Sequence, residues 1–420
     1  MMRSHFERSA IALTATTVCS LGAVTAEQQD VPVPGSVVAS SAPAPVALGA
    51  YKRIDVKIYP VTVDAKGFGP AVYPPHMLEQ DVRDGWSTIV RAAGGVTSTK
   101  VSVETEPVQT VKLPGDVTKQ PELCNNEIRK KFVNTLIDKV VPEHPKGNPE
   151  EPSVPIVVIQ DIAKSRCVDG VTNHEGIVIA NGTAVAPGAY PHELGHKLFN
   201  FGHDDYLVCS NYRRPVVGKN CALYEYGDPQ TIMGGAKASN SDPLNAHELL
   251  RIGAILEENV TTVYSDEPQE LTLQSLNSKT AGIKAVRIPI TGIDELPAAP
   301  NSRRLFTNTA PQLTCATAIM LELSSDNKYS HDSLSFALQP LSIKAYLVNE
   351  SDKAKGKDAF RIASELDGDT LVITAGHKTV HVRVRGQESD LLQSLAAVGH
   401  ADLTVQTSTG SSRRADSCNH

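Results

Sequence analysis

The chain has 420 residues, 40% hydrophobic and 21% charged, with a formal net charge of −7 and a pI of about 6.0. That length allows one large core or two ordinary ones. The acidic balance and the lack of any long Lys/Arg block exclude nucleic acid and anionic membrane as expected partners.

The N-terminus reads as a secretory leader. Arg3 and Arg8 precede a small, apolar run from Ala10 to Ala23, and Val24 and Ala26 supply small residues before Glu27. The pattern predicts a signal peptide over 1–26, because the run is too short and too rich in Thr and Ser for a comfortable membrane span. Residues 27–50 are rich in Pro, Ala, Ser and Val and read as a linker or short pro-segment. The expected localisation is therefore extracellular, with no membrane attachment after cleavage. Besides Cys19 there are six cysteines, an even number that suits three disulfides in an exported chain. Proximity favours Cys209 with Cys221. Elimination within each half leaves Cys124 with Cys167 and Cys315 with Cys418. The sequons at Asn181, Asn259 and Asn349 fit the same compartment.

Globular patterning begins at Tyr51. IDVKIYP (54–60) alternates like a half-buried strand. After Pro74-Pro75, Leu78, Val82, Trp86, Ile89 and Ala93 recur at helical spacing. VSVET (101–105) is a short strand, and Phe132, Val133, Leu136, Ile137 and Val140 mark a second amphipathic helix. VPIVVIQ (154–160) is a continuous apolar run, as in a buried central strand. GIVIANG (176–182) is a further strand. This order predicts a mixed sheet with helices packed on it.

Next comes HELGHKLFNFGHD, residues 192–204. Pro191 suits the first turn of a helix. His192 and His196 are then i and i+4 on one face, so that both imidazoles reach one zinc ion. Glu193 lies beside the first of them, placed to take a proton from a zinc-bound water and pass it to a leaving amine. A third ligand is expected at His203, with Asp204 and Asp205 as the alternatives, since zinc also accepts carboxylate. Downstream, YGDPQTIMGG (226–235) is turn-rich and contains one of only 5 methionines, Met233. LNAHELLRIGAI (244–255) is a further helix, and His174 and His247 read as non-ligands.

Beyond about Tyr264 the texture changes to short alternating runs: LTLQSL, IKAVRIPI, AIMLELS, LSIKAYLV, TLVIT and TVHVRVR. These predict an all-β, sandwich-like region. His377 and His381 fall on such strands as ordinary solvent-face residues.

HELGH, GH, EYGDPQTIMGG and LNAHELLRIGAI together resemble the gametolysin-like metallopeptidases, secreted members of the metzincin clan of zinc endopeptidases. The resemblance covers about residues 154–290. It implies an α+β fold: a metzincin-like zinc protease domain over 51–264, a mixed twisted sheet with an active-site helix, then a β-rich domain over 265–420. It also implies zinc-dependent cleavage of extracellular proteins, with matrix or cell-wall glycoproteins as substrates, and makes GIVIANG the edge strand along which a substrate pairs its backbone. The chain is expected to act as a monomer. Met233 becomes the residue of the Met-turn, an apolar floor beneath the histidines. The clan pattern HExxHxxGxxH is broken here. Phe199 stands where glycine is expected, and His203 comes one residue late. A one-residue insertion explains both if the helix runs on through Phe199 and Asn200 takes the left-handed turn. Some metzincins use a tyrosine two residues after the methionine. That place is Gly235, so no catalytic tyrosine is assigned, and Tyr224 and Tyr226 are read as structural. The rival reading is a catalytically inactive, metzincin-like binding protein or adhesin that uses its β region.

Overall fold

In the computed structural model the described residues run from 47 to 410. The longest stretches left out between them are 116–122, 162–169, 182–187, 235–243, 294–315, 325–341, 351–358 and 386–398. The predicted leader, most of the 27–50 segment, His174, Gly235 and the cysteines at 19, 124, 167, 315 and 418 lie outside the described residues.

The first part of the chain forms β1 (Arg53–Val63), β2 (Phe68–Gly69), α1 (Pro75–Ala92), β3 (Lys100–Thr105), β4 (Gln109–Val111) and α2 (Asn126–Val140). β5 (Ser153–Asp161), β6 (Gly170–Thr172), β7 (Ile177–Ala180) and α3 (Ala189–Phe199) follow. The sheet order is β3-β1-β5-β7-β6, with β4 also on β1 and β2 on β5. β1, β3, β5 and β7 run parallel, and β6 closes the sheet as an antiparallel edge. Strand alternation explains the layers. Ile54, Val56 and Ile58 face the core under α1 and α3, while Tyr59, Val61 and Val63 face the core under α2. β5 is buried on both faces from Val154 to Ile159, as its continuous apolar run requires. One expectation is corrected here. GIVIANG is not the edge: β7 is paired on both sides, and the three-residue β6 covers it.

The second part forms β8 (Asp204–Cys209), β9 (Cys221–Tyr224), α4 (Ala246–Arg251), β10 (Val260–Thr262), β11 (Gln269–Gln274) and β12 (Ala285–Pro289). Then come β13 (Ala318–Ser324), β14 (Ser342–Val348), β15 (Ala359–Ile362), β16 (Thr370–Ala375), β17 (Lys378–Val384) and β18 (His400–Thr409). A seven-stranded sheet has the order β10-β12-β13-β14-β15-β8-β9, and a four-stranded antiparallel sheet the order β11-β18-β17-β16. The seven-stranded sheet is a middle layer. On β13, Ala318 and Met320 join the helix-side core, while Ile319, Leu321 and Leu323 join the core shared with the four-stranded sheet. On β17, Val380, Val382 and Val384 are buried and His381 and Arg383 are exposed.

The fold is thus mixed α/β, with several sheets and few helices. The sheets do not respect position 264, since β8 pairs in parallel with β15 and joins strands from both sides of it. The disulfide Cys209–Cys221 links β8 to β9 at positions that face each other in the ladder. No helix among the described residues is long and apolar enough to cross a membrane.

Candidate metal centre

Helix α3 carries the first three site residues on a buried frame. Leu194, Leu198 and Phe199 are at most 5% exposed. Phe199, standing where glycine was expected, packs against Tyr51, Trp86 and Phe201 at ring separations of 6.0, 6.3 and 5.4 Å. Phe199 is therefore a core aromatic, whose burial is worth up to about 3 kcal/mol. Helix α3 ends there. Asn200 has φ 55° and ψ 36°, its N–H donates to His196 O, and the Phe201 N–H donates to Gly195 O. This is a left-handed cap with asparagine in the glycine role.

The cap turns the chain so that His203 meets the helix. His192, His196 and His203 each offer one ring nitrogen, and these atoms lie within 4.8 Å of one another. His196 Nε2 is 3.0 Å from His192 Nε2 and 3.1 Å from His203 Nε2. Two nitrogens about 2.0–2.1 Å from a shared tetrahedral ion lie roughly 3.3–3.4 Å apart, so the spacing fits a metal. The outer nitrogens agree. His192 Nδ1 donates to Ile232 O and His196 Nδ1 donates to Phe201 O, both at 2.7 Å. With each proton on Nδ1, the two Nε2 atoms turn lone pairs towards each other, which calls for a cation between them. Burial, then the nearby His192, pushes the His203 imidazole down to about 3, which keeps it neutral as a ligand must be. Imidazole sets of this kind suit zinc and its first-row neighbours.

Met233 is fully buried below the helix. Its Sδ occupies the space a Cβ on Gly195 would need, 2.8 Å away, so the glycine of HELGH admits the methionine. Gly234 has no room for a side chain either, because a Cβ there would lie 2.3 Å from Asp228 O. The Asp204 N–H donates to Met233 O, tying this turn to the residue after His203.

Glu193 is 4% exposed and reaches under the edge strand. Thr172 Oγ1 on β6 donates to Glu193 Oε2. A Cβ on Gly170 would lie 2.4 Å from Glu193 Oε1, so β6 leaves just enough space for the carboxyl group. Burial raises its pKa above the usual carboxylate value, against the pull of His192, Thr172 and Arg129. This is the environment of a group that picks up a proton readily.

The carboxylates weighed as alternative ligands are engaged elsewhere. Asp204 Oδ1 accepts from Asn245 Nδ2, and Asp205 Oδ1 accepts from the Tyr226 N–H, both at 2.9 Å. His247 is buried in α4, and its pKa is pushed down to about 3 by burial and then by Arg251 and Arg287. It is not among the clustered histidines.

Three contributions were not foreseen. Tyr226 lies with its ring on His203 at 3.9 Å. Thr172 and Gly170 shape the seat of Glu193. Asp228 is fully buried, with Arg361 Nη1 donating to Oδ1 at 2.8 Å and Tyr346 Oη to Oδ2 at 2.7 Å. The YGD triplet marked the right segment, but its partners lie on β14 and β15, beyond any local signal.

No protein-family model matches the sequence, and no curated protein is significantly similar to it.

Proposed function

We propose that the protein is a secreted zinc endopeptidase of the metzincin kind, resembling the gametolysin-like metallopeptidases. The observation that carries this reading is the convergence of three imidazole Nε2 atoms beside a buried glutamate, two of them with Nδ1 anchored on backbone carbonyls. His192, His196 and His203 would hold the metal. Zinc bound there supplies a Lewis acid that polarises a carbonyl and makes water acidic near neutral pH.

The chain's own residues do the rest. Glu193 takes the proton of the attacking water and delivers it to the leaving amine. Thr172 orients its carboxyl group, and the raised pKa makes the carboxyl a willing carrier. Among the described residues β6 is the edge strand, and it lies against Glu193, so that an extended peptide would add to it as a further strand. Met233 and the Ile232 carbonyl fix the floor and the first ligand. The Cys209–Cys221 disulfide supports the extracellular reading.

The test is metal analysis with caseinolysis on the full chain. About one zinc per chain is expected, with activity lost on chelation. Glu193→Gln should keep the metal and lose activity by about 10²–10⁴-fold. Activity that survives Glu193→Gln would refute the mechanism.

A further inference from the structure

Among the described residues, three non-glycine positions have left-handed backbone: Asn181, Asn200 and Tyr226. Asparagine is at ease there; a tyrosine at φ 54° is not. The surroundings hold it in place. The Tyr226 N–H donates at 2.9 Å to Oδ1 of Asp205, a fully buried side chain two residues after His203. The next N–H, of Gly227, donates to Tyr224 O, and Gly227 has no space for a Cβ, with Tyr224 O and Tyr206 Cβ 2.6 and 2.7 Å from where it would stand. Strain held this firmly marks functional positions.

The strained turn aims the ring at the histidines. Its centroid is 3.9 Å from that of His203, at 42°, and 5.7 Å from that of His192. Tyr226 is 37% exposed, so the ring forms an outer wall of the cluster. His203 stands beyond the end of α3, in the short connection to β8, where the helix no longer fixes its direction. We propose that Tyr226 is the positioning residue of the third histidine. Its ring packs His203 into the metal-facing orientation, and the left-handed backbone is the stability sacrificed to put the ring there. The inference rests on the metal-site reading and needs no peptidase activity.

The test uses the full chain stripped of metal and titrated with Zn²⁺ and Co²⁺ against a competing chelator. Tyr226→Asn relieves the backbone and removes the ring. It should bind zinc 10–100-fold more weakly, the usual cost of losing a residue that orients a ligand. Its metal-free Tm should nevertheless rise by a few degrees. The Co²⁺ spectrum of Tyr226→Asn should shift towards that of His203→Ala, and Tyr226→Phe should restore the wild-type spectrum and affinity. Unchanged metal affinity in Tyr226→Asn overturns the proposal. A fall in Tm together with affinity also overturns it, because the tyrosine would then be ordinary packing. A wild-type chain that takes up no metal refutes the metal reading itself, an outcome distinct from both.

Discussion

Helix α3 brings His192, Glu193 and His196 together by local spacing, on a frame packed against α1 and the first sheet. His203 is placed differently. Its carbonyl accepts the Ala359 N–H of β15, and the strand that follows it, β8, is paired with β15. The turn that carries Met233 is likewise secured through Asp228, whose carboxylate is held by Tyr346 and Arg361, 118 and 133 positions away. One half of the cluster is thus a helix motif. The other half is a product of the middle sheet, so the β-rich region is part of the site's support.

The largest expected effect tests that dependence. Arg361→Met leaves the buried Asp228 carboxylate without its cation, which should cost about 3–5 kcal/mol in urea unfolding. Zinc affinity should fall with it, because the loops bearing His203 and Met233 lose their anchor. Asp228→Asn combined with Arg361→Met should recover part of the stability, since no uncompensated charge remains. An Arg361→Met chain with normal stability and affinity would break the contrast between the two halves.

The same contrast explains what the sequence could disclose. HELGH is legible because helical periodicity is a local rule, and i, i+4 fixes which side chains share a face. Among the parallel strands, β1 was legible from its alternation and β5 from its apolar run. β6 and β15 were not, because three and four residues carry too little alternation to read. Charges inside the middle sheet also mislead. A charged residue in an alternating strand reads as a solvent position, yet Glu322 and Lys344 are both about 1% exposed and lie 3.8 Å apart. Burial on both faces of a sheet is a property of the layers above and below it, which no single strand encodes. The edge strand was misassigned for a related reason. β7 has the stronger pattern, and the weak β6 covers it.

A smaller effect probes the local half. Gly170→Ala places a methyl group 2.4 Å from the present position of Glu193 Oε1. The carboxyl group must shift by a large part of an ångström, and a displacement of that size costs about 10²-fold in turnover. Zinc content should be unchanged, since no histidine moves. Loss of metal in Gly170→Ala would show that Glu193 and the ligands are not separable, and the local half would then be less self-sufficient than the helix suggests.

The smallest effect falls at the junction of the halves. Asn200 holds φ 55° and turns the chain from α3 towards His203. Alanine in that conformation should be about 1 kcal/mol less stable than glycine there. The Arg251 contact at this position is to the Asn200 carbonyl, so neither change removes it. Chemical denaturation of Asn200→Ala and Asn200→Gly therefore isolates the backbone term. If the two variants are equally stable, the left-handed turn is not what ends α3 after Phe199. If they differ as expected, the late histidine has a local cause. The helix runs on to bury Phe199, and asparagine then makes the left-handed turn that leads the chain to His203.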